Sequence, residues 1–247
     1  VDSIAEITDK LLYDCYNTFY NLNNMALAVA GNVTVDDVLE VCNEYLKQAE
    51  PLSIEKSFDD EPRGIVKDYD EYHLAMSVPV FAFGYKEACE KPIQSYRDYI
   101  ETDILLKIIA GKTSPLYHSL LEKGLINSSF GNEYFIGYGY EAIIFEGESE
   151  NPQAVADAIK AEVARLKHEG IDRDLFESVR RSLYGKEIMS YNDIDSIANS
   201  LIACDFNEWS MFDAMDIYKN VTAEDIENRL SKMMDEQYSA LSVVKNK

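Results

Sequence analysis

TDKLLYDCYNTFYNLNNMALAV, residues 8–29, lies without a gap over TAEDIENRLSKMMDEQYSALSV, residues 222–243, at an offset of 214 residues. Thr8 and Thr222 both stand at a helix N-cap, where a hydroxyl accepts from an otherwise orphaned backbone N–H. Leu12, Tyr16, Phe19 and Tyr20 fall opposite Ile226, Leu230, Met233 and Met234, a spacing that lines one helical face. Ala26, Leu27 and Val29 then coincide with Ala240, Leu241 and Val243, in segments that read as strands. With four identities in twenty-two positions, the match reads either as an internal duplication or as chance likeness between two helix–strand units. Under duplication the placement carries the information, because the second copy closes a module while the first stands almost at the N-terminus. The chain then holds the tail of one module (residues 1–50), a linker (51–71) and one complete module (72–247).

Working outward, a helix opens at TVDD, residues 34–37, a capping pattern. AEPLSIEKSFDDEPRGIVKDYDE, residues 49–71, follows with two prolines, a glycine and dense charge, and reads as an interdomain linker or a long surface loop. HLAMSVPVFAFGYKE predicts a strand that starts at His73, with Pro79 placing it at an edge or a bulge. SYRDYIETDILLKIIAG predicts a helix with Tyr99, Ile100, Ile104, Leu105 and Ile108 inward and Gly111 as its stop. NEYFIGYGYEAIIFEGE reads as a hairpin turning near Gly137 and Gly139. A helix opened by Asn151 and Pro152 buries Val155, Ile159, Val163 and Leu166 and ends at Gly170. Asp172 starts another, with Leu175, Phe176, Val179 and Leu183 inward. A third has Ile194, Ile197, Ala198, Leu201 and Ile202 inward, and the last is capped by Thr222. Strands first and helices after make this an α+β chain, with helices packed on one face of an antiparallel sheet.

Lys and Arg number 23 against 45 Asp and Glu, a formal charge of −22 that repels phosphate backbones and anionic lipid. Nucleic acid and membrane surfaces are therefore excluded as expected partners, and basic or unfolded peptides are favoured. No apolar run reaches the roughly 18–20 residues that span a bilayer, and VDSIAEITDK lacks the order of a signal peptide. Cys15, Cys42, Cys89 and Cys204 are widely spaced with no CxxC, and read as buried thiols in a reducing, cytoplasmic setting.

The search for chemistry is short, because there are three histidines. His73 reads as a polar strand residue, and His168 suits the C-terminal end of a helix dipole. In SPLYHSLLEKGLINSSFG, residues 114–131, His118 and Glu122 share a helical face, but a catalytic zinc takes three protein ligands and this spacing supplies two. A surface contact between them is the simpler reading. HExxH, HxxEH, GxSxG, the P-loop and GxGxxG are all absent, so no active site is expected from motifs.

Several stretches together resemble the insulinase and pitrilysin-like zinc peptidases, the family that includes the mitochondrial processing peptidase. LYDCYNTFYNLNNMALAVAGNVTVDDV is similar to the segment that ends the first, metal-bearing domain of that family. SVPVFAFGYKE, TSPLYHSLLEKGLINSSF, SLYGKEIMSYNDIDSIANSLI and NVTAEDIENRL resemble successive landmarks of the next domain, most closely in the bacterial two-domain branch. The resemblance implies repeated α+β modules, no cofactor in this chain, and zinc held by HxxEH in an N-terminal domain upstream of Val1. It also implies as partners a peptide substrate, the chain's own N-terminal domain and a homologous subunit, often as an unlike pair.

In the family a segment of the type LREKxGLxY supplies an Arg and a Tyr that stabilise charge on a substrate bound at a facing metal. LLEKGLIN keeps Leu120, Glu122, Lys123, Gly124 and Leu125, but Leu121 falls where the Arg would be and Asn127 about where the Tyr would be. The resemblance thus implies a non-catalytic C-terminal half, walling a chamber and contributing to peptide or subunit binding. The alternative is an inactive structural subunit whose parent has no peptidase activity. A free-standing metalloenzyme using His118 and Glu122 is the third reading.

Overall fold

The computed structural model describes residues 2–47, 50, 52, 54–55, 57–89 and 94–247. Alternation in VFAFGYK sets the two faces of the sheet. In β2 (Val80–Lys86), Phe81, Phe83 and Tyr85 are each 1% exposed, while Ala82, Gly84 and Lys86 point the other way and are half-buried. β4 (Tyr140–Glu148) and β5 (Ser239–Lys245) flank β2, both antiparallel. β3 (Gly131–Gly137) and β1 (Tyr69–His73) take the outer positions, for an order β1-β5-β2-β4-β3. The β3–β4 hairpin turns at Tyr138 and Gly139, where φ of +80° is the left-handed region that favours glycine.

One pair departs from the antiparallel expectation, because β1 and β5 run parallel. A parallel pair needs a long crossover, and here the whole module lies between its first and last strands. β1 begins at Tyr69, inside the segment read as linker, and His73 ends that strand rather than starting the next. Pro79 stands just outside β2, its carbonyl accepting from Ser149 N at 3.0 Å.

Ten α-helices are described. In the first 47 residues they are α1 (Asp2–Ala5), α2 (Asp9–Phe19) and α3 (Val35–Tyr45). Then come α4 (Tyr96–Ala110), α5 (Pro115–Glu122), α6 (Pro152–Glu169) and α7 (Arg173–Ser190), followed by α8 (Ile194–Phe206), α9 (Asp213–Asn220) and α10 (Ala223–Lys232). α4 and α6 pack on the face of Phe81, Phe83, Ile143, Phe145 and Leu241, and α10 packs on both. α7 and α9 cover the far side of α4. The predicted stripes of α4, α6 and α7 are inward, with Tyr99 and Leu175 at the core margin. N-caps are made by Ser95, Asn151, Asp172 and Thr222, each accepting from a backbone N–H three residues on.

α8 corrects the expected pattern. Of its residues only Cys204 is buried; Ile194 is 56% exposed, and Ile197, Ala198, Leu201 and Ile202 are half-buried. Its periodicity is helical as expected, but no described element closes over the apolar side.

The starts of the matched helices and turns keep the offset of the two stretches. α2 and α10 begin 214 residues apart behind Thr8 and Thr222, and 3₁₀ turns at Leu22–Asn24 and Glu236–Tyr238 keep the same offset behind Asn21 and Asp235. Burial separates the copies. Ile226 is 0% and Leu230 1% exposed, whereas their counterparts Leu12 and Tyr16 are 60% and 56% exposed. The expected strand at Ala26–Val29 is not formed, although Met25 is extended, because no described strand lies beside it.

Equivalent truncations should therefore differ. Ile226→Ala is expected to destabilise the chain by about 2–5 kcal/mol in urea unfolding, the range for emptying a packed site. Leu12→Ala is expected to cost no more than about 0.5 kcal/mol, as for an exposed position.

Candidate functional site

The turn between α5 and β3 carries the two positions singled out by resemblance. Ser114 caps α5 by accepting from Tyr117 N at 3.1 Å, and Pro115 occupies its first turn. Leu121, in the last turn, is 45% exposed and offers only methyl groups. Asn127 fastens the turn: its Nδ2 donates to Glu148 Oε2 at 2.7 Å, and its Oδ1 accepts from Ser129 N at 2.8 Å. An amide held in this way orients a loop, and neither side chain brings a positive charge. His118 and Glu122 are both exposed on α5. Among the described residues no group of three or more His, Cys, Asp or Glu comes together to hold a metal ion. The residues present therefore do not fit zinc.

The strongest concentration of polar groups lies elsewhere, where α4, α10 and the strand ends meet. Arg229 of α10 donates through Nη1 to Asp98 at 2.7 Å, through Nε to Thr102 Oγ1 at 2.7 Å and through Nη2 to the Tyr134 hydroxyl at 3.1 Å. Tyr134 in turn donates to Glu141, which is 6% exposed and 3.6 Å from Arg229. Nearby, Arg97 bridges Glu101 at 2.7 Å and Asp225 at 3.1 Å. Beside this network opens a cavity of about 440 Å³, lined in part by Glu87, Gln94, Asn228 and Lys232.

Glu87 and Lys167 clamp the end of α10. A carboxylate oxygen of Glu87, at the end of the β2 run, accepts from Met234 N at 2.7 Å. Lys167 of α6 donates to the carbonyls of Met233 at 2.6 Å and Met234 at 3.0 Å. Met234 itself has φ of +56°, a conformation that a methionine keeps only when its surroundings hold it. Burial pushes the Glu87 carboxyl up to about 7, opposed by the Met234 N–H and by Arg63 and Lys167, and reinforced by Glu141. Burial likewise raises Glu101 against the pull of Arg97, and lowers Lys167.

Chemically, the cluster is self-neutralising. Arg229, Arg97 and Lys167 already meet carboxylates or carbonyls, so the cluster joins α10 to α4 and the hairpin. Sequence reasoning passed over these residues. The signal was there in part: Glu87 and Glu141 sit at the ends of strongly apolar strand runs, and Glu101 falls on a helix face otherwise inward.

Residues 6–183 match the family described as the peptidase M16 inactive domain. The chain is 28% identical over 238 residues to the uncharacterized zinc protease YmfH of Bacillus subtilis, covering 92% of this chain and 54% of that protein. The chain thus spans about half the length of this curated relative. Among solved structures, a putative M16-like peptidase from Alicyclobacillus acidocaldarius superposes with a TM-score of 0.90 at 26% identity, over 100% of this chain and 60% of the other. A protease from Helicobacter pylori has the same fold, with a TM-score of 0.86 at 18% identity, over 99% of this chain and 60% of the other.

The raised Glu87 carboxyl predicts a pH dependence. The folded chain holds a proton there that the unfolded chain releases, so this stabilisation is full below pH 4.5 and lost as pH rises through about 7. Glu87→Gln keeps an acceptor for Met234 N without the charge. At pH 8 it is expected to unfold at higher urea than the native chain, by up to about 3 kcal/mol, with the difference vanishing near pH 4.5.

Proposed function

The chain belongs to the peptidase M16 inactive-domain family, and from that premise we propose that it is the non-catalytic C-terminal half of a zinc peptidase subunit. It walls one side of a chamber and contributes to binding a peptide or a homologous subunit, while hydrolysis takes place on zinc in an N-terminal domain. One observation carries this reading: the helical face that is buried in the second copy of the repeat is bare in the first. The helix that carries Ile226 and Leu230 packs on α4 and α6, and residues 1–50 have no such neighbours among the described residues. On this reading residues 1–50 end a first module, residues 51–71 connect, and residues 72–247 form the second. The shares of YmfH and of the Alicyclobacillus structure that this chain covers, 54% and 60%, leave room for such a module. A cytoplasmic setting belongs to the same proposal, supported by four cysteines without CxxC spacing.

A second reading is favoured by Leu121 and Asn127, which leave the segment without its charged donor: an inactive structural subunit of the same family. Zinc analysis and hydrolysis of a fluorogenic peptide, on this chain and on the longer polypeptide that would contain it, separate the readings. The expected result is neither stoichiometric zinc nor hydrolysis from residues 1–247 alone, and both from the longer protein. A longer protein with neither supports the structural subunit. Hydrolysis by this chain alone overturns both readings.

A further inference from the structure

Positive charge is scarce on this chain, yet three lysines meet at one cavity. The cavity, of about 400 Å³, lies between the C-terminal end of α4, the turn that follows it, the start of β3 and α7. Lys107 stands on α4, Lys112 in the turn and Lys186 on α7, and among the described residues no Asp or Glu belongs to the lining. On a chain with 45 acidic residues against 23 basic ones, this is a local reversal of the overall field. Thr113 adds a hydroxyl from the turn, and Ser178 and Ser182 add two more, at one-turn spacing on the face of α7 that carries Lys186.

The acceptors in this wall are already used. Lys107 donates to Asn132 Oδ1 at 3.1 Å and bridges Asp103 at 3.3 Å, while Asn132 Nδ2 donates to the Ala110 carbonyl at 3.3 Å. The donors are in surplus. Among the described residues, the side chains of Lys112, Lys186, Thr113, Ser178 and Ser182 make no hydrogen bond or ion pair. The dipole of α4 accounts for Lys107 in its last turn, but Lys186 belongs to another helix and is left without a structural partner. Phe130, Val179 and Leu183, all buried, complete the lining with apolar surface.

Two ammonium groups without counter-ions match one dianion. A phosphate monoester carries a charge of about −1.5 to −2 at pH 7 and has three strong acceptor oxygens, whereas a carboxylate would leave one ammonium unmatched. The volume lies within the roughly 300–1,000 Å³ of small-molecule pockets, and its apolar part suits an attached organic group better than a bare ion. We propose that this cavity binds a small phosphate monoester, with Lys112 and Lys186 pairing the phosphate, the hydroxyls of Thr113, Ser178 and Ser182 open to its oxygens, and the esterified group against Phe130, Val179 and Leu183. The site is separate from peptide binding and does not depend on it.

Isothermal titration calorimetry on the 247-residue chain tests this with phenyl phosphate, inorganic phosphate, benzoate and a phosphotyrosine peptide. Phenyl phosphate is expected to bind at least tenfold more tightly than benzoate, which has the ring with less charge, and than inorganic phosphate, which has the charge without the ring. Lys112→Ala and Lys186→Ala are each expected to weaken it about tenfold, the loss of one charge-assisted contact, whereas Lys219→Ala, outside the lining, leaves it unchanged. All three lysines are exposed, so the variants keep the fold. Inorganic phosphate bound as tightly as phenyl phosphate overturns the ester assignment. A phosphotyrosine peptide bound at least tenfold more tightly than phenyl phosphate assigns the cavity to a phosphorylated protein and also overturns it. So does binding that survives both lysine variants, an equal loss in Lys219→Ala, or no binding at all.

Discussion

Strand β5 is hydrogen-bonded on both sides, to β1 in parallel and to β2 antiparallel, so its seven residues join the outer strand β1 to the rest of the sheet. β1 pairs with β5 alone among the described strands. Leu241 and Val243 add buried side chains to the same face as Phe81 and Phe83. Closing this arrangement brings together residues separated by nearly the whole module, whose entropy cost is met before the pairing returns anything. The helices depend on it in turn, since α4 and α6 have their apolar faces against the sheet that β5 completes.

The approach to β5 explains the polar cluster. α10 must end, and the chain must reverse through a 3₁₀ turn, just where the strand begins. That leaves backbone groups of Met233 and Met234 in a buried place, where unpaired they would cost about 1–3 kcal/mol each. Lys167 and Glu87 satisfy them, and Arg229 ties the helix to α4 about one turn earlier. Buried charge is a costly way to stabilise a fold. Here it fixes one geometry for the joint through which the final strand enters.

Much of this was legible in the sequence, and the legible part is local. Caps at Asn151, Asp172 and Thr222 name their helices, the hairpin is marked by Gly139, and the stripes of α4, α6 and α7 face inward as periodicity requires. Other features are set by tertiary partners and have no local sign. α8 has the spacing of a buried helix without the cover, and Ala26–Val29 has the composition of a strand without a neighbour to pair with. The parallel β1–β5 pair follows from topology, not from any residue in either strand. At the candidate site, Leu121 and Asn127 were visible only through resemblance. The Arg229 network was not seen, because its members come from four elements that only the fold brings together.

β3 is one of the two outer strands of the sheet, and no described strand pairs with its far side. Such an edge is a template for stacking one chain on another. Here the strand is seven residues long with glycine at both ends, and Glu133 stands exposed along it. A molecule approaching edge to edge would meet the same carboxylate on its twin, and glycines that hold no extended shape of their own. Edge-to-edge pairing at this strand is thereby disfavoured.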